Sequence, residues 1–130
     1  MSGVVTSLAE GPSSEAARIE GESWSPQFLG EAQIFVRYVD DEDLGVFSTA
    51  VLVDPGLHCF VGEVTRTGIL NSEGSWTDPF CFVAEAGRTY RMRYRTQGYE
   101  VIDVADRSTV ASGGWTQQLE LPASPASDDD

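Results

Sequence analysis

The sequence predicts an all-β fold, an antiparallel β-sandwich of about seven strands with little helix. Three observations carry that prediction. The interior alternates apolar and polar residues with period two and shows almost no helical periodicity. Short runs rich in Val, Ile, Phe, Tyr and Thr recur along the chain and suit a pleated, half-buried surface. The breaks between them carry turn chemistry, as in Asp54-Pro55-Gly56, where proline fixes φ and glycine is free to take a positive one.

Taken in order, strands are expected from Gln33 to Val39, Ser48 to Val53, Leu57 to Thr67, Phe80 to Glu85, Thr89 to Thr96 and Tyr99 to Ala105, with a short one from Thr109 to Ser112. Asn71-Ser72-Glu73-Gly74, Ala86-Gly87 and Gln97-Gly98 read as turns. Upstream, Ser14 to Arg18 has the makings of one helical turn capped by Ser13 or Ser14, but Ala17 to Gly21 reads better as a first edge strand. Trp24 to Gly30 reads as loop. The expected core includes Ile34, Val36, Val51, Val53, Phe82, Met92, Ile102 and Val104. Regular short strands of this kind point to an immunoglobulin- or transthyretin-like sandwich.

One hairpin is legible in more detail. Arg91, Arg93 and Arg95 share one face, and Tyr90, Met92 and Tyr94 the other. A loop of Thr96-Gln97-Gly98 would set Met92 opposite Ile102, Tyr90 opposite Val104 and Arg91 opposite Asp103, keeping Asp103 off the apolar side.

The chain has 130 residues, 41% of them apolar, which suffices for one domain with a real core. Residues 1–12 are expected to be a flexible lead-in, 13–116 the sandwich, and 117–130 an acidic Pro/Ala/Ser-rich flexible tail ending in Asp128, Asp129 and Asp130. No run reaches the ~18 apolar residues of a membrane span. The opening MSGVVTSLAEGP lacks the basic and long apolar regions of a signal peptide. Acidic residues number 21 against 8 basic, a net charge of −13, which repels nucleic acid and anionic lipid. Neither is expected as a partner.

The order of elements resembles that of small exported bacterial proteins of unknown function, many of them lipoproteins, and of PEGA-like modules. The similarity runs through Glu10-Gly11-Pro12 and Glu15-Ala16-Ala17-Arg18-Ile19, the strand and turn from Ile34 to Gly45, Pro55-Gly56-Leu57-His58, Ala86-Gly87-Arg88-Thr89-Tyr90, and Val104-Ala105-Asp106 to Ala111. It covers about Glu10 to Trp115. No lipobox cysteine precedes Val4, in departure from the pattern. The resemblance implies a periplasmic or outer-membrane lipoprotein location, membrane attachment only through a lipid anchor, and no known chemistry.

Candidate site residues are few. His58 is the only histidine, and a nucleophilic device would have to use it. It precedes Cys59 in a strand, so the two side chains point to opposite faces, and a structural role near the Pro-Gly turn is expected. Cys59 and Cys81 are the only cysteines. They form a disulfide if the strands holding them pair in register, and otherwise are two buried thiols. No zinc-ligand spacing or phosphate loop is present, and neither metal nor cofactor is expected. Asp40-Asp41-Glu42-Asp43-Leu44-Gly45 concentrates carboxylates but lacks the spacing of a calcium loop, and reads as a solvated turn. The face of Arg91, Arg93 and Arg95 is either an anion or acidic-partner surface or a solvated face balanced by neighbouring acids. Trp24, Trp76 and Trp115 either stack together on a ligand such as a glycan or plug the ends of the fold. These features point to a non-enzymatic cell-envelope module that binds or spaces other components, with a small-ligand- or glycan-binding domain as the alternative.

Overall fold

The computed structural model describes residues 4–24, 31–45, 48–67, 72–95 and 98–116. In chain order the strands are β1 (Val4–Ser7), β2 (Ala17–Gly21), β3 (Ser23–Trp24), β4 (Glu31–Val39), β5 (Glu42–Asp43), β6 (Ser48–Val53), β7 (Gly56–Thr67), β8 (Ser72–Thr77), β9 (Phe80–Ala84), β10 (Thr89–Arg95), β11 (Gly98–Asp103), β12 (Thr109–Gly113) and β13 (Trp115–Thr116). A single 3₁₀ turn, Ser13–Glu15, precedes β2, so the local helical tendency and the strand coexist. The fold is all-β. The acidic tail, 117–130, lies outside the described residues.

The strands form two sheets. One has six strands in the order β1-β6-β2-β10-β11-β12. The other has seven: β13-β8-β7-β4-β3 in order, with β5 beside β4 and β9 beside β7. The chain changes sheet twice over a single residue, at Glu22 between β2 and β3 and at Gly114 between β12 and β13. The first crossing explains Gly21: a Cβ there would lie 1.9 Å from the Ile34 carbonyl oxygen, so only glycine lets the backbones approach.

Both sheets feed one hydrophobic core. Ile19, Val51, Val53, Tyr90, Met92 and Val101 enter it from the six-stranded sheet, and Ile34, Val36, Phe60, Phe82 and Ala84 from the other. Aromatic pairs join them: Phe82 meets Tyr90 edge-on at 4.9 Å, and Phe80 lies 5.2 Å from Tyr99. The period-two pattern that marked the strands is the burial pattern itself, clearest in β9, where Phe80, Phe82 and Ala84 are buried and Cys81 and Val83 exposed.

Several expectations change. Ala17–Gly21 is not an edge strand, because β2 lies between β6 and β10. The pairing is not antiparallel throughout: β1–β6 and β2–β10 are parallel. Both pairs join segments far apart in sequence, as parallel pairing requires. Residues 4–7 of the expected lead-in pair with β6. Asn71-Ser72-Glu73-Gly74 was expected to turn, yet Ser72–Thr77 is a strand paired with β7 from Thr67 to Glu63. A ladder has overridden weak local propensity there.

The arginine hairpin takes a different register from the expected one. Arg95 pairs with Gly98, Met92 with Val101, Arg91 with Ile102 and Tyr90 with Asp103. Gly98 belongs to the strand and not to the turn. A Cβ on Gly98 would sit 2.1 Å from the Gly113 carbonyl oxygen, so this glycine serves close packing against β12. Asp103 therefore does fall on the inward side, and its side chain is only 7% exposed. Burial is tolerated because Arg88 Nη1 donates to Oδ2 at 2.6 Å and the Ala105 N–H donates to Oδ1 at 2.9 Å. Ile102 is buried on the opposite side of its strand from Val101, and Val104 is half-buried; neither joins the main core.

Candidate functional site

A polar constellation that includes the only histidine lies where the turns after β4 and β6 meet the start of β7. Asp40 and Asp41 form a two-residue hairpin loop between Val39 and Glu42, with φ of 49° and 73°. That pair of left-handed residues is the turn that suits a tight hairpin, and aspartate tolerates it. The turn directs the Asp40 carboxylate at β7. Oδ2 accepts from His58 Nδ1 at 2.6 Å, and Oδ1 accepts from the Cys59 N–H at 2.8 Å. The Asp40 N–H donates back to the Cys59 carbonyl at 2.8 Å.

The other ring nitrogen is also committed. His58 Nε2 lies 2.7 Å from the Asp54 carbonyl oxygen, so the histidine bonds backbone at the Pro-Gly turn. The Asp54 carboxylate faces the other way and accepts from the N–H groups of Glu10, at 3.1 Å, and Gly11, at 3.0 Å. One chain of contacts thus links the N-terminal segment, the Asp54-Pro55-Gly56 turn, β7 and the β4–β5 hairpin.

Electrostatics follow from this geometry. Burial works against a charged His58 ring, but the Asp40 hydrogen bond and the Asp54 carbonyl outweigh it and raise the pKa above the usual imidazole value. The backbone donors of Gly11 and Glu10 hold the Asp54 carboxyl below the ordinary carboxylate range. Both His58 nitrogens are engaged by structural acceptors, so this ring is not poised as a base for a nucleophile.

Cys59 and Cys81 are joined by a disulfide. They are direct partners in the β7–β9 ladder, and the neighbouring pair Leu57 and Val83 is 68% and 62% exposed. Cys81 is itself exposed, so the bridge lies on the outer face of the sheet, opposite Phe60, Phe80 and Phe82 on the core side.

The arginine residues of β10 are balanced by acids on adjacent strands. Arg91 donates to Glu20 at 2.7 Å, Arg18 joins the same carboxylate at 3.0 Å, and Arg95 pairs with Glu100 at 2.8 Å. Arg93 stands opposite Glu100 in the ladder. Partial burial pushes the Glu20 carboxyl up, but the bonds from Arg18 and Arg91 outweigh it and lower its pKa. Asp103, the acid expected beside Arg91, instead pairs with Arg88.

Trp76 and Trp115 do not converge. Trp115 stacks on Tyr94 at 5.5 Å and touches Tyr99, closing one end of the core. It pairs in the ladder with Thr77, whereas Trp76 pairs with Thr116, so the two indoles belong to alternate faces. The Arg37 guanidinium lies 5.0 Å from the Trp76 ring while bonding Glu63 at 2.7 Å. Trp24 is in β3, and its side chain lies outside the described part. In the acidic turn, Asp40 is occupied as above, and Asp43 accepts from the Gly45 N–H at 2.8 Å.

Sequence reasoning placed His58 beside the Pro-Gly turn but missed Asp40 as its partner. The two are 18 residues apart. The signal that would have found it was the two-residue Asp-Asp loop facing the start of the next long strand. No protein-family model matches the chain, and no curated protein or solved structure is significantly similar to it.

Proposed function

We propose that this domain is a non-enzymatic cell-envelope module, periplasmic or lipoprotein-type, that binds or spaces other components. We read its two sheets as a sandwich of immunoglobulin- or transthyretin-like character. Support for the sandwich comes from the shared core, the aromatic pairs between sheets and the two single-residue crossings. The observation that carries the envelope reading is the Cys59–Cys81 disulfide on an exposed sheet face. A solvent-facing bridge persists in oxidising compartments and is reduced in the cytosol. The commitment of both His58 nitrogens to backbone and turn fits a structural part better than a catalytic one.

The test is fractionation of cells carrying the native gene, followed by thiol alkylation under denaturing conditions. The proposal expects the protein in the envelope fraction, with no reactive thiol before reduction and both cysteines reactive after it. Protein found in the cytosol with both thiols free would overturn the proposal.

A further inference from the structure

The His58 constellation has a property that an ordinary structural histidine lacks. Both ring nitrogens face acceptors that have no proton to give: the Asp40 carboxylate at 2.6 Å and the Asp54 carbonyl at 2.7 Å. A neutral imidazole carries one N–H and can satisfy only one of them. Only the imidazolium donates to both.

We propose that His58 is a pH-sensitive latch, which as a cation pins the Asp40 turn to the Asp54 turn and on losing its proton releases Asp54 together with the N-terminal segment that Asp54 holds. The direction of release follows from the two acceptors. The remaining proton stays on Nδ1, because a bare nitrogen against a carboxylate is worse than one against a carbonyl. Nε2 then presents a lone pair to the Asp54 carbonyl oxygen, and that contact opens. Asp54 is the residue whose carboxylate grips the N–H groups of Glu10 and Gly11, immediately after β1 and the Leu8 N–H bond to Leu52.

The groups acting on His58 come from every element around it. The β4–β5 loop contributes Asp40, and the turn before β7 contributes Asp54. Opposite it in the ladder β9 contributes Phe82, and β7 itself contributes Phe60, with ring centroids 6.3 Å apart, neither of which titrates. Both charged neighbours are anionic and hold the proton. The latch is closed below the ordinary imidazole value of about 6.5 and opens as pH rises through the higher folded-state value. It therefore responds to alkalinisation, independently of the function proposed above.

The test is a pH titration of the full chain by NMR, reading the His58 ring nitrogens and the exchange protection of the Glu10, Gly11 and Cys59 amides. The latch predicts a doubly protonated ring with a pKa above about 6.5. It also predicts that protection at Glu10 and Gly11 falls about tenfold across that titration, the factor set by losing one charge-assisted hydrogen bond. Cys59, held by Asp40 Oδ1, should keep its protection. In His58→Gln the pH dependence at Glu10 and Gly11 should vanish. A ring titrating at or below the ordinary value, or protection at Glu10 and Gly11 that stays flat in the wild-type chain, overturns the proposal whether or not the variant folds.

Discussion

The corner around His58 and the arginine face of β10 are both built from ionic side chains, and they do different work. In the corner, Asp40, His58 and Asp54 bind backbone groups and one another in the turns just beyond the ends of the β4–β7 and β1–β6 ladders, where strand pairing stops. On the arginine face, Arg91–Glu20 and Arg95–Glu100 decorate strands whose backbones are already paired. The first set holds chain segments in place; the second balances charge over a sheet that stands without it. An ion pair matters to a fold in proportion to the backbone freedom it removes, and distance alone does not reveal that.

The largest expected effect is in the corner. Replacing both cysteines, Cys59→Ala with Cys81→Ala, opens a covalent loop whose ends are 22 residues apart. Chain entropy sets the loss at about 3 kcal/mol, read as a lower urea midpoint. A change below ~1 kcal/mol would mean that the β7–β9 ladder alone fixes that edge.

In the arginine hairpin, backbone packing and not charge should dominate. Gly98→Ala drives a methyl into the Gly113 carbonyl and should cost about 2–3 kcal/mol by urea unfolding. A neutral result would indicate that the Arg95–Gly98 register is wrong and that the glycine sits in the turn.

The pH dependence sharpens the comparison further. Asp54, with a lowered folded pKa, contributes stability that is present above about 3.9 and lost as pH falls through its folded value. His58, with a raised one, contributes stability that is complete below about 6.5 and lost as pH rises through its folded value. Thermal midpoints should therefore peak in mildly acidic buffer, and the alkaline decline should be missing from His58→Gln. A decline of equal size in that variant would remove His58 as its cause.

Much of this was legible from alternation and turn chemistry. The strands from Gln33 to Val53 and from Leu57 to Thr67 were readable because their apolar faces are continuous. Ser72–Thr77 was not, since SEGSWT carries no apolar stripe and owes its form to the β7 ladder. Val4–Ser7 was missed because four residues give too little pattern, and their partner lies 44 or more residues on. The hairpin register failed on one residue: a glycine after Gln97 looks like a turn glycine, and its packing role appears only once Gly113 is in place. At the site, the Pro-Gly turn gave His58 away, but its bond to Asp40 depends on a hairpin loop aimed across the sheet.

The most direct test sets the two regions against each other in parallel urea unfolding at pH 6. Asp40→Asn keeps the left-handed loop, which asparagine tolerates, but removes the charge that binds His58 and Cys59. At a half-exposed position it should cost about 2 kcal/mol. The triple change Arg91→Gln, Arg93→Gln, Arg95→Gln should cost no more than about 1 kcal/mol, since the Arg91 and Arg95 side chains are each 43% exposed and their pairs join strands that the ladders already hold. The account predicts that the single corner substitution lowers the midpoint more than all three arginine substitutions together. A triple variant that loses several kcal/mol beside an unaffected Asp40→Asn would contradict it.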